Sequence, residues 1–225
     1  GIDDEAVIRR ARLMSPTKNR GGNLNVSMRS SSSGYSNLSP QKNRSSNLNI
    51  KTSVIGGSGG MSNKESLSLV ATVIKANKTL TYLNLTNTSI KGSMSAISEA
   101  LRYNISLLHL NLSSNYLESD CCEALANNLK VNETLVTLNL SYNALSDHGC
   151  VYLNEGLKYN KKLEVLDLSN NKQITSSGVR YFKGSLKGAS MLKELIFEGN
   201  GEVEKAALLE IDELIRFNKN VDSVK

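Results

Sequence analysis

The sequence predicts an α/β solenoid, each turn built from one strand and one helix. Two observations carry this. The pattern L-x-x-L-x-L-x-x-N-x-L recurs down the chain: LTYLNLTNTSI from Leu80, LLHLNLSSNYL from Leu107, LVTLNLSYNAL from Leu135, LEVLDLSNNKQI from Leu163 and LKELIFEGN from Leu192. The starts lie 27, 28, 28 and 29 residues apart, and a steady period of this size marks stacked supersecondary units. Within each period the apolar spacing also switches from that of a strand to that of a helix.

The copy from Leu135 shows how one unit works. Leu135, Leu138 and Leu140 stand among polar residues with strand periodicity and point into a core, whereas Thr137, Asn139 and Ser141 point to solvent. Asn143 turns inward, where its amide bonds backbone groups left unpaired by a tight turn. Asn115, Asn171 and Asn200 share that position, which predicts an asparagine ladder; the copy from Leu80 has Thr88 there instead. Cys150, Leu153 and Leu157 follow at helical spacing. Asn77, Asn104, Asn132 and Asn160 each lie three residues before the next leading leucine. They are expected to stop the helices by adopting the left-handed conformation. One such unit cannot bury its apolar face alone, so neighbouring units share a core.

These five copies resemble the leucine-rich repeat family, in its long-repeat, ribonuclease-inhibitor-like branch, over roughly residues 62 to 220. The resemblance implies a right-handed solenoid. A parallel sheet of about five strands would line its concave side, with the helices on its convex side. It does not define a function, because such repeats serve unrelated tasks.

Before the repeats the composition differs. Residues 1 to 60 hold nine Lys and Arg against Asp3, Asp4 and Glu5, and the remaining residues balance 18 basic with 18 acidic, so the net +6 belongs to this segment. It is read as a basic Ser/Asn/Gly-rich tail and linker, too poor in apolar residues to offset the entropy of ordering. The open alternative is a degenerate capping repeat built on Leu48, Ile50 and Ile55. Within the segment SPTKNRGGNLNV recurs 24 residues later as SPQKNRSSNLNI. A short basic helix over residues 3 to 14 and kinase sites at Ser15 and Ser39 are further expectations. The repeat domain spans residues 61 to 225. It opens on a helix over residues 62 to 76, with Ser62 and Glu65 as a capping box. It closes on a helix carrying Ala207, Leu208, Ile211, Leu214 and Ile215. That closing stretch, KAALLEIDELIRFNKN, together with the junctions before each strand, is similar to the tropomodulin branch. This likeness implies regulation of actin as an alternative function.

No nucleophile, metal set or phosphate loop is legible. His109 sits on an outward strand position, and His148 is expected to precede a helix. Cys121, Cys122 and Cys150 are read as small buried apolar residues, because Cys122 and Cys150 fall in one helical column with Met94 and Val179. The N-x-S/T triplets follow from the repeat itself. No cofactor and no catalysis are expected. No apolar run reaches the ~18 residues of a membrane span, no secretory leader is evident, and a cytoplasmic location follows. The chain starts without Met and is expected to be a piece of something longer.

The expected activity is protein–protein interaction or scaffolding. The candidate contacts are the outward strand residues Tyr82, Asn84, His109, Asn111, Thr137, Asn139, Tyr142, Asp167, Asn170, Glu194 and Glu198. This face is nearly uncharged over three repeats and acidic over the last two. Nucleic acid is disfavoured for the solenoid, since no basic stripe with aromatics runs along the strands. Residues 6 to 60 would supply a second contact, with an anionic surface. The rival class is an enzyme regulator, such as a GTPase activator or ribonuclease inhibitor, but Arg102 and Arg180 are placed within helices rather than on a loop.

Overall fold

The computed structural model describes residues 63–187 and 191–222, together with the strands Thr17–Lys18 (β1), Asn23–Ser27 (β2) and Ser46–Lys51 (β3). Helix α1 (Asn63–Ala76) leads to β4 (Leu80–Asn84), and a 3-10 turn (Ile90–Ser93) leads to α2 (Met94–Tyr103). Then come β5 (His109–Asn111), α3 (Ser119–Leu129), β6 (Thr137–Asn139), α4 (Asp147–Leu157) and β7 (Val165–Asp167). The chain ends with α5 (Ser176–Tyr181), α6 (Lys183–Lys187), β8 (Glu194–Ile196) and α7 (Lys205–Asp222).

The strands form one sheet in sequence order, β1 to β8. Every pair from β2 onward is parallel, and β1 runs antiparallel to β2. This is the parallel sheet of an α/β leucine-rich-repeat solenoid, with five strands beginning within two residues of the five leading leucines. The sheet does not stop at those five. Leu24 pairs with Leu48 and Val26 with Ile50, so the two copies of the amino-terminal duplication lie side by side in register. β3 then joins β4 with a register shift after Ser46. The expected helix over residues 3 to 14, Ile55, Ser62 of the capping box, Ser15 and Ser39 lie outside the described residues.

The core is a set of columns, because stacked turns bring equivalent residues together. Leu83, Leu110, Leu138, Leu166 and Leu195 align across β4 to β8 and are buried. Leu85, Leu112, Leu140, Leu168 and Phe197 form a second buried column. The helices contribute Ile97, Leu125, Leu153 and Phe182, and then Leu101, Leu129, Leu157 and Leu186. The last repeat departs from the others, since its helix breaks into α5 and α6 at Phe182, whose ring lies 5.7 Å from that of Phe197. Helix α7 buries Ala207, Ile211 and Ile215, with Leu208 and Leu214 half-buried against the core.

Two asparagine series tie the turns together. In the first, Asn143 Nδ2 donates to the carbonyls of Leu112, Leu140 and Ser141, and its Oδ1 accepts from the N–H groups of Asn115 and Leu117. Asn115 and Asn171 repeat this arrangement, Asn200 accepts from Asn171 N–H, and Thr88 replaces the amide with a hydroxyl donating to Leu85 O. The second series is the helix-stop set. Asn104, Asn132 and Asn160 donate to the carbonyls of Ile74, Leu101 and Leu129 in the preceding turn. Asn218 does the same to Leu186 O. Their Oδ1 atoms accept from the N–H of the next leading leucine, Leu107, Leu135 and Leu163. The expected left-handed stop is therefore corrected. Asn104 is extended, at φ −79° and ψ 131°, and Asn is required there because one side chain must both donate and accept between neighbouring turns.

Candidate interaction surface

The concave strand face is arranged in columns by the register of the sheet. The first column runs Tyr82, His109, Thr137, Val165 and Glu194. Glu194 is exposed and the others are half-buried, and the rings of Tyr82 and His109 are 6.3 Å apart and tilted. The second column runs Asn84, Asn111, Asn139, Asp167 and Ile196. Four of these are committed to their own turns. The Oδ1 atoms of Asn84, Asn111, Asn139 and Asp167 accept from the N–H groups of Thr86, Ser113, Ser141 and Ser169. These Asx turns end each strand, so the sequence-predicted contacts in this column offer a partner only their remaining polar atoms.

Beyond each Asx turn the backbone flips into the left-handed region, at Asn87, Ser114, Tyr142 and Asn170, and it does so again at Gly199 after β8. Asn and Gly accept this easily. A Cβ on Gly199 would stand 2.5 Å from Asn170 Oδ1, so glycine is required there for space as well as for φ. Tyr142, at φ 54° and 62% exposed, is a bulky side chain in a strained position. Asn170 N–H bonds Glu198 O, just as Tyr142 N–H bonds Ser169 O. Glu198 therefore belongs to the column of Ser141 and Ser169 rather than to that of Tyr142 and Asn170, and it is exposed where those serines are buried.

Sequence reasoning missed Tyr116. It too has a positive φ, 56°, and is 71% exposed, at the rim where β5 leads into α3. Its only signal in the sequence is its place directly after the ladder Asn115. His148, expected before a helix, lies inside α4 and packs edge-on against Tyr152. The helix starts at Asp147, after Ser146 in an extended conformation, and the Asp147 carboxylate accepts from Thr175 N–H and Oγ1 in the next turn. Arg102 and Arg180 are helical, and Arg180 pairs with Glu204.

Cys121, Cys122 and Cys150 are free and buried. Burial pushes the thiols of Cys122 and Cys150 well above the ordinary range; the charges of Cys150, Cys121 and Asp120 add to the effect at Cys122, and that of Asp147 at Cys150. Among the described residues no three His, Cys, Asp or Glu side chains converge on a possible metal position, and no helix is long and apolar enough to cross a membrane.

Repeats, sheet and asparagine series together define a leucine-rich-repeat fold. A leucine-rich-repeat profile matches residues 103–126, 131–153 and 159–183. The solved structures that share the fold include these two. The first is titled "Leiomodin-1 Actin-Binding Site 2 (ABS2)". It is 20% identical with a TM-score of 0.57, and the match covers 73% of this chain and 94% of that one. The second is the tropomodulin C-terminal domain of Caenorhabditis elegans, 15% identical with a TM-score of 0.58, covering 72% and 97%. Comparison with curated protein sequences gives no significant match.

Proposed function

We propose that this chain is a non-catalytic interaction module that holds a protein partner against its concave strand face, acting in the cytoplasm. The observation that carries the reading is Tyr142, an aromatic side chain held at positive φ and exposed just beyond the end of β6, on the face whose strands carry Tyr82 and His109. Backbone strain of this kind clusters at binding sites, and exposed aromatics are the usual anchors of interfaces. Glu194 and Glu198 add negative charge at one end of the face, which favours a partner with a basic segment there.

Actin is the first partner to test, because the leiomodin structure of the same fold is by its title an actin-binding site. The full chain is mixed with monomeric and with filamentous actin, and binding is compared with that of a Tyr82→Ala/Tyr142→Ala variant. A loss of about tenfold or more in the variant, which is ~1.4 kcal/mol, supports both the face and the partner. No binding by the native chain removes the actin reading. Binding that ignores the substitutions removes the concave face as the contact.

A further inference from the structure

The edge where helices turn back into strands is distinct from the concave face. Each junction begins with a basic residue, then an apolar one or alanine, then the helix-stop asparagine: KANKT at 75–79, RYNIS at 102–106, KVNET at 130–134, KYNKK at 158–162 and RFNKN at 216–220. These windows hold nine basic residues against one acid, Glu133. Asn104, Asn132, Asn160 and Asn218 are locked inward by their bonds to the preceding turn, and the two residues before each of them are exposed, except Lys130, which is half-buried. Tyr159 is 61% exposed and Phe217 66%, and Tyr103, Ile105 and Val131 are also exposed. Lys75 stands 4.9 Å from the centre of the Tyr103 ring, and Lys130 stands 5.9 Å from that of Tyr159, so each cation covers the ring of the next turn.

The helix dipole accounts for a cation in the last turn of a helix. It does not account for Lys78, Lys161 and Lys162 in the turns beyond, nor for a row of exposed rings. Neighbouring helices pack about 8–10 Å apart, so the row is a raised line of rings and ammonium groups some tens of ångströms long. Shallow, open hollows lie on the opposite edge, around Glu118 to Asp120 and around Thr175 to Glu204.

We infer that this helix-to-strand edge is a docking surface for an anionic lipid bilayer. Charge complementarity is the first argument. Residue type is the second, since seven of the nine cations are lysine, which is depleted at protein interfaces but is drawn as a point charge to acidic headgroups. Shape is the third, because aromatic rings with polar tips and lysines with long apolar stems settle at the headgroup level without needing a groove.

The test is co-sedimentation of the full chain with vesicles of mixed phosphatidylserine and phosphatidylcholine, and with phosphatidylcholine alone, at low and high salt. Each lysine near such a surface contributes roughly fivefold in partitioning. Lys161→Gln/Lys162→Gln is therefore expected to weaken binding to the acidic vesicles by about 25-fold. Tyr159→Ser/Phe217→Ser is expected to remove the binding that persists at high salt. Circular dichroism checks that both variants are folded; if the ring variant is not, the exposed lysine pair decides alone. Tyr142→Ala is expected to leave vesicle binding unchanged, which keeps this test separate from that of the concave face. The inference is overturned if the edge variants bind like the native chain while Lys42→Gln/Arg44→Gln abolishes binding. It is equally overturned if the chain ignores the vesicles and binds polyglutamate, which would make the edge a site for an acidic protein.

Discussion

Asn143→Ala removes a side chain of the ladder that makes five hydrogen bonds. Its amide donates to three carbonyls at 3.1, 2.9 and 3.1 Å and accepts from two N–H groups at 2.8 and 3.0 Å. Three of the five partners, Leu112 O, Asn115 N–H and Leu117 N–H, belong to the preceding turn. A hydrogen bond is worth about 0.5–1.5 kcal/mol net, and a buried group left unpaired costs more. Some of these carbonyls keep other partners, and the site is half-buried, so water recovers part of the loss. The expected cost is about 3–5 kcal/mol. Asn139→Ala is the matched control, since its Oδ1 accepts only locally, from Ser141 N–H and Oγ, and about 1 kcal/mol is expected. Urea melts followed by circular dichroism measure both. A cost for Asn143→Ala below about 1 kcal/mol, or one equal to that of Asn139→Ala, would refute the view that the ladder joins one turn to the next.

Three further outcomes are expected. Leu138→Ala, in the middle of the buried strand column, destabilises by about 2–5 kcal/mol on the same urea melts. Gly156→Ala places a Cβ 2.9 Å from the backbone of Ala126; it forces α3 and α4 apart and costs about 1–3 kcal/mol by thermal melting. Cys122 and Cys150 react slowly with a thiol reagent in the folded state, and their raised pKa sets a pH dependence. Unfolded thiols lose their protons above about pH 8.5 while the buried ones keep theirs, so stability falls as pH rises beyond that point, by up to ~1.4 kcal/mol per unit per thiol. Cys122→Ala/Cys150→Ala flattens that fall relative to the native chain, and an unchanged slope would place the thiols in contact with water.

The parts of the fold legible in the sequence were those set by leucine and asparagine. The leading leucines located β4 to β8 within two residues, because a side chain that must be buried in every turn leaves a periodic mark. Two features left no such mark. β2 pairs with β3, and β3 joins β4 over Ser46 to Asn49, in a Ser/Asn-rich stretch whose apolar residues are too few to stand out. The Asx turns occupy positions that strand alternation assigns to solvent, so Asn111 and Asn139 read as free contacts although their Oδ1 atoms bond their own backbone. Tyr142 was chosen as an aromatic on the outward face. Its strained backbone was not legible, because tyrosine carries no preference for positive φ.

The strictly sequential strand order has a mechanical consequence. Since β4 touches only β3 and β5, and so on down the sheet, a pull on the two ends of the solenoid is borne by the interfaces in series. The weakest interface yields first, whatever the strength of the others. Peeling one turn releases 27 to 29 residues, about 90–100 Å of extended chain. The molecule thus responds to load as a row of fuses of nearly equal length, losing one turn at a time while the remaining turns keep their faces intact.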